Sequence, residues 1–304
     1  MKYKSHIIIA ILLLGFFFPT THTYALKMLT DQMGRKVAIP DNPIRVVSLA
    51  PSITEIVFSL DQGNRLAGAT RFSDYPEAAK KLPRVGSYVH LDLEKIVSLK
   101  PDLCIAIKDG NPKIVVDRLE SLNIPVYAVN PKNLKTVMET ITEIGNLLNA
   151  GEKAHLVVKN MKSRIQRVKT RLANVTYRPR VFFQIGIAPI VSVGTHTFAH
   201  ELIELAGGDN LSKGPIPYPR FSKEQVLSLS PEVFIITSMS RNTIFQQVKE
   251  EWSKWPSLPA VRDKRIFLED SNLSDRPTPR LVDGLEYLAR RIHPELFGFE
   301  PIEK

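Results

Sequence analysis

The chain has 304 residues, 43% of them hydrophobic, which is enough apolar material for two cores rather than one. Its 41 Lys and Arg against 31 Asp and Glu leave a net charge of +10, yet no basic run is interleaved with aromatics, so nucleic acid is not the implied partner. Attraction to an anionic membrane surface is a weaker, compatible reading, and the single cysteine excludes an intrachain disulfide.

In chain order, residues 1–6 are MKYKSH, followed by the apolar run IIIAILLLGFFF and then PTTHTYA. A basic start, a short apolar core and small residues ending at Ala25 describe a secretory signal peptide over residues 1–25. The apolar run is too short to span a bilayer comfortably, and no cysteine follows it to carry a lipid. Export to the periplasm as a soluble protein is the expectation. Loss of Lys2 and Lys4 lowers the charge from +10 to +8.

Residues 29–43 read as two short strands around Met33-Gly34, and Arg45–Leu49 as a buried strand. Pro51 opens a helix running to about Leu60, with Ser52 and Glu55 at capping-box spacing. Arg65–Thr70 returns as a strand, 71–92 is a decorated loop, and strand 102–107, helix 112–122, strand 125–129 and helix 133–148 follow. Cys104 falls inside a buried strand and reads as a small core residue. Strands alternating with helices imply a parallel sheet covered on both faces.

The stretch from about Ala150 to Asn174 has no proline, and no glycine after Gly151. Ala154, Val158, Met161, Ile165, Val168 and Leu172 recur at steps of four and three, one apolar stripe on a helix about 35 Å long. Beyond it come a strand at Arg180–Gln184, a turn at Ala188-Pro189 and a helix from Thr197 to Ala206 closed by Gly207-Gly208. Then follow a proline-rich loop over 209–221, a helix–strand pair at 222–236, a helix near 242–251, a strand at Arg265–Leu268, a loop at 270–277 and a last helix at 279–292.

The segments flanking the long helix match each other. Glu94, Ser98, Leu99 and Pro101 recur at one offset as Glu224, Ser228, Leu229 and Pro231. Each copy is a short helix, a proline that stops it, an acid and a buried strand, which marks duplicated lobes.

A run of residues also resembles a known family. Asp31–Val37, Ile39-Pro40 and Arg45–Glu55 look like the start of the helix-linked periplasmic binding proteins, the solute-binding components of ABC importers for cobalamin, ferric siderophores and haem. Ser73-Asp74-Tyr75-Pro76, Leu91–Leu103, Leu205–Asn210 and Pro217–Leu227 resemble the cobalamin-binding branch most closely. The likeness covers the chain from residue 26 onward. It implies an α/β fold of two Rossmann-like lobes with parallel central sheets, 26–148 and 176–304, joined by one helix over 149–175.

The resemblance also implies a ligand cleft between the lobes and no catalysis. Tyr75, Tyr88 and Tyr218 correspond to aromatic residues lining a corrinoid pocket, each offering a flat face and a hydroxyl. Pro51, Ile107, Asn272 and Arg276 fall at other lining positions, and where relatives carry tryptophan this chain has Tyr88, Ile107 and Tyr218. Glu94 and Glu224, each in the first turn of its helix, offset the helix dipole. In the family, glutamates at these positions also contact the permease, whose two identical subunits would read one acid per lobe. The implied partners are an ABC permease dimer with its ATPase subunits and a small-molecule ligand, cobalamin or a related corrinoid. The binding protein itself is a monomer without cofactor.

A ferric-siderophore or haem ligand is the rival expectation, for which Arg71, Arg220 and Arg276 are the candidate cations. An exported hydrolase would need a nucleophile elbow, and neither GxSxG nor a Walker loop is present. His196 and His200 stand four apart, but Glu204 occupies the second histidine position of an HExxH pattern, so no metal site is expected.

Overall fold

Runs of Val, Ile and Phe alternate with amphipathic segments along the chain, and nearly every run becomes one strand of one of two parallel sheets. The computed structural model describes residues 26–238 and 243–298; the expected signal peptide lies outside these residues. β1 (Leu26–Thr30) and β2 (Lys36–Pro40) form an antiparallel ribbon around a turn in which the Asp31 carboxylate accepts from the Met33 and Arg35 amides, both at 2.9 Å. β3 (Val46–Ser48), α1 (Pro51–Ser59), β4 (Leu66–Ala69), α2 (Leu93–Ser98), β5 (Leu103–Ile107), α3 (Lys113–Ser121), β6 (Val126–Val129) and α4 (Leu134–Leu147) complete the first lobe. Its parallel sheet runs β4-β3-β5-β6.

The linking helix, expected over 149–175, is α5 (Gly151–Arg171). Ala154, Met161, Ile165 and Val168 of the apolar stripe are buried, and Val158 and Leu172 are half-buried. α5 packs on α4 behind it and on a C-terminal helix ahead of it, and no helix among the described residues is long and apolar enough to cross a membrane.

The second lobe contains β7 (Arg180–Gln184), a hairpin of β8 (Gly186–Ile187) and β9 (Ile190–Val191) turning at the cis Ala188–Pro189 bond, and α6 (Phe198–Leu205). The expected loop over 209–221 holds two short strands, β10 (Asp209–Asn210) and β11 (Arg220–Phe221). Then come α7 (Lys223–Leu229), β12 (Val233–Ser238), α8 (Thr243–Ser253), α9 (Pro259–Arg262), β13 (Ile266–Asp270), α10 (Leu281–Ile292) and α11 (Pro294–Phe297). The main sheet runs β10-β7-β12-β13, all parallel. Both main sheets therefore place their strands in the order second, first, third, fourth.

One apolar cluster is continuous through the molecule. It passes from Ile39 and Ile53 through Met161 and Ile165 of α5 to Val181 and Leu285. The far face of each sheet has a cluster of its own. Ile96, Cys104 and Leu119 lie in one, and Phe182, Val226, Phe234 and Trp252 in the other. Each such buried side chain contributes about 1.5–3 kcal/mol. The Cys104 thiol sits fully inside its cluster, and burial pushes its pKa up to about 12, as for an inert core residue.

The Ser52–Glu55 capping box does not form. Pro51 begins the helix two residues earlier than the box requires, so Ala50 is the N-cap and has no side-chain acceptor to offer. The Glu55 carboxylate is drawn instead to two arginines of the second lobe.

Candidate ligand cleft and the paired acids

The two joints that repeat in the sequence are alike in atomic detail. At the start of α2, Asp92 accepts from the Lys95 amide at 2.9 Å; at the start of α7, Ser222 accepts from the Gln225 amide at 3.2 Å. Ile96 and Val226 are fully buried at matching places, while Glu94 and Glu224 are exposed. Lys100 and Ser230 each have φ of +48° just before the matched prolines. Asp102 accepts from the Arg45 amide at 3.0 Å, and Glu232 from the Arg180 amide at 2.8 Å. The guanidinium of Arg45 donates to the Lys100 carbonyl, and that of Arg180 to the Ser230 carbonyl. Duplication thus reaches residues the four-position match did not include.

In open parallel sheets a ligand binds outside the carboxyl ends of the strands. At that edge of the first lobe, Pro51 follows β3 and is buried, Ile107 ends β5 with 9% exposure, and Tyr88 stands on the loop between β4 and α2. Asn111, itself buried, holds all three segments. Its side chain accepts from the Ile107 amide at 2.8 Å and donates to the carbonyls of Leu49 at 2.8 Å and Tyr88 at 2.7 Å. The Tyr88 ring lies so close to Gly110 that a Cβ there would come within 2.6 Å of it. Phe72 meets the same ring edge-on at 6.3 Å, with Arg71 over its own face at 4.7 Å.

The second lobe brings Tyr218, Asn272 and Arg276. Tyr218 is exposed, and partial desolvation, with Asp275, Asp109 and Tyr88 nearby, raises its pKa. Two of those neighbours, Tyr88 and Asp109, belong to the opposite lobe. Asn272 is buried in a short 3-10 turn (Ser271–Leu273) after β13, its amide donating to Asp270 at 3.0 Å. Arg276 faces the first lobe, donating to Glu55 at 2.9 Å, Asp74 at 3.0 Å and the Phe72 carbonyl at 3.2 Å. Arg280 joins it with two bonds of 2.9 Å to Glu55 and stacks at 3.9 Å on Tyr75, which is 47% exposed. Glu55 is only 3% exposed, so this is a buried ion cluster across the lobes.

The expected residues therefore fall into two groups, Pro51, Tyr88, Ile107 and Tyr218 in one and Tyr75 and Arg276 in the other, with Asn272 on the turn behind Arg276. Sequence reasoning missed Asn111, Glu55 as an inter-lobe acceptor, Arg280 and Asp275. No local signal marks Asn111, whose carbonyl partners lie 62 and 23 residues away. Asp275 is open to solvent yet walled by protein, and that burial, with Asp270 beside it, pushes its carboxyl up to about 6. Beneath it, Glu269 is 6% exposed with neither carboxylate oxygen hydrogen-bonded among the described residues, and its pKa is raised well above the usual range, by burial first. A separate pocket of about 330 Å³ opens where α5 meets Ser59 and Arg280, and none of the expected ligand residues lines it. His200 points Nδ1 at the Asn210 amide, 3.0 Å away, and no three metal-ligating side chains cluster among the described residues.

A family model described as periplasmic binding protein matches residues 46–273. The chain belongs to that family. It is 32% identical over 253 residues to the vitamin B12-binding protein of Vibrio vulnificus strain CMCP6, an alignment covering 82% of this chain and 90% of the relative. Among solved structures it is similar to the periplasmic vitamin B12 binding protein of Vibrio cholerae, with 29% identity, a TM-score of 0.74, and coverage of 84% of this chain and 98% of the other. A periplasmic heme binding protein from Pseudomonas aeruginosa superposes equally well, with a TM-score of 0.76 and 26% identity over 86% of this chain and 96% of the other. These relatives are binding proteins, and the two-lobed architecture is common to them.

Proposed function

We propose that this binding protein captures cobalamin or a related corrinoid between its lobes and delivers it to an ABC permease dimer powered by ATPase subunits. A cleavable leader over residues 1–25 exports it, and it works as a monomer of lobes 26–148 and 176–304 with the connector 149–175. The observation that supports the ligand reading is that Tyr218 of one lobe lies within electrostatic reach of Tyr88 and Asp109 of the other, with Asp275 beside it. Such a set of groups suits a flat solute fringed with amide donors. Of the three candidate cations for an anionic siderophore or haem, Arg276 is already paired with Glu55 and Asp74, which weakens that reading, while Arg71 and Arg220 are exposed and form no ion pair among the described residues.

Isothermal titration of the chain from residue 26 onward with cyanocobalamin, cobinamide and haem tests this reading. The expected result is one-to-one binding of a corrinoid, weakened at least about tenfold when Tyr88 and Tyr218 are both alanine. Haem binding without corrinoid binding overturns it.

A further inference from the structure

More than half of the net charge of this molecule sits on one helix. α5 carries Lys153, Lys159, Lys162, Arg164, Arg167, Lys169 and Arg171 against the single acid Glu152, seven minus one, or six of the +10. Two of these cations face the lobes: Lys153 pairs with Asp61 at 2.5 Å, and Arg164 with Asp283 and Glu286, both at 2.6 Å. The others are exposed, Lys169 on the side of Glu201. Arg167 reaches Glu286 only at 3.8 Å, and Arg171 stacks at 5.1 Å on Phe297. Lys159, Lys162 and Lys169 are exposed and pair with no carboxylate among the described residues.

His155, Lys159, Lys162, Gln166 and Lys169 recur at steps of four, three, four and three, so they form a straight exposed row about 20 Å long along one flank of the helix. Lys169 and Arg171 favour the negative end of the helix dipole, which explains those two. Lys159 and Lys162 lie mid-helix, where like charges three and four apart weaken a helix, so intrahelical electrostatics does not explain them. The ligand cleft does not use the row. Nor do the helices of Glu94 and Glu224, since α2 and α7 pack on the sheet faces opposite the continuous cluster that holds α5.

We propose that the exposed lysine flank of α5 is a docking surface for an anionic phospholipid leaflet, with Lys159, Lys162 and Lys169 meeting successive headgroup phosphates. A single anion needs donors that converge. A straight row matches a flat array of negative charges instead. The contact is electrostatic and reversible, and it keeps the carrier near a membrane while leaving the cleft and the paired acids free.

Co-sedimentation of the exported chain with phosphatidylcholine vesicles, with and without about 30 mol% phosphatidylglycerol, tests the proposal. Retention on the anionic vesicles alone is expected at about 50 mM salt and should vanish by about 0.5 M. The triple variant K159Q/K162Q/K169Q should lose at least about fivefold of that retention. The matched variant K36Q/K81Q/K264Q removes three exposed lysines elsewhere and should keep it. Circular dichroism of both variants establishes that they fold alike. No retention of the wild type, or equal loss in the two variants, overturns the proposal, the second outcome assigning the effect to overall charge.

Discussion

Glu55 illustrates how far a residue's role can lie from its local pattern. Its spacing from Ser52 signals a helix cap, yet in the folded chain it accepts hydrogen bonds from Arg276 and Arg280, more than 220 residues away. Glu55→Gln keeps the shape but leaves the part-buried Arg280 without its anion and Arg276 with Asp74 alone. The expected cost is about 3 kcal/mol of unfolding free energy, measured by urea denaturation. Asn111→Ala should cost about 2 kcal/mol by the same measurement, since it leaves one buried amide and two carbonyls unpaired, and it should loosen corrinoid binding by releasing Tyr88. Asp275 governs a pH effect. Its carboxyl has an ordinary pKa of 3.8 and one of about 6 in the folded chain, so between those values the folded state holds a proton the unfolded state has released. Asp275 should therefore make stability fall as pH rises from about 4 to about 6, and Glu269, raised in the same direction, adds to the fall. Asp275→Asn should raise stability at pH 7, by about 1 kcal/mol after allowance for its solvent contact, and should have no such effect at pH 3.5. None of these three roles was legible in the sequence, because each depends on groups that only the fold brings near.

The elements, by contrast, were legible wherever a period was long enough to read. The four-three stripe of α5 gave its buried face residue by residue, and the helix–proline–strand repeat gave the duplicated joints. Two-residue strands were missed. β10 and β11 have no periodicity of their own and exist because Asp209 pairs with Arg180 and Arg220 with Val191. Of the seven expected lining residues, Ile107 ends a strand, Pro51 opens a helix and Tyr88 lies on a loop, and the Asn111 side chain that ties their segments together belongs to no motif. Packing of α4 on α5 has a tight point that the helical periods do not reveal. A Cβ on Gly145 would lie 2.5 Å from the Cβ of Ala154. Gly145→Ala gains about 1 kcal/mol of helix propensity and loses more to overpacking, for a net destabilisation of about 1–2 kcal/mol. Adding Ala154→Gly should return stability to within about 1 kcal/mol of the wild type, and a double-mutant cycle in urea would measure that coupling.

At the scale of the whole molecule, rigidity and symmetry act together. A continuous apolar cluster, the Arg164 pairs between α5 and α10, and the Glu55 cluster tie the lobes at separate places. Ligand binding should therefore change the radius of gyration in solution by less than about 1 Å, as X-ray scattering can measure. If the lobes move so little, the permease would recognise a surface that is nearly fixed, and the exposed Glu94 and Glu224 are suited to that. Each stands on a capped helix over a buried aliphatic residue and ahead of a matched turn, so a two-fold permease would meet the same charge in the same setting twice. Glu94→Ala and Glu224→Ala should then lower corrinoid uptake by the reconstituted importer to the same extent. Together they should abolish it, with the affinity for corrinoid in solution unchanged. Lost affinity would place these acids in ligand binding instead. Two single variants of very different effect would mean that the permease does not read the lobes as equivalent, whatever their common origin.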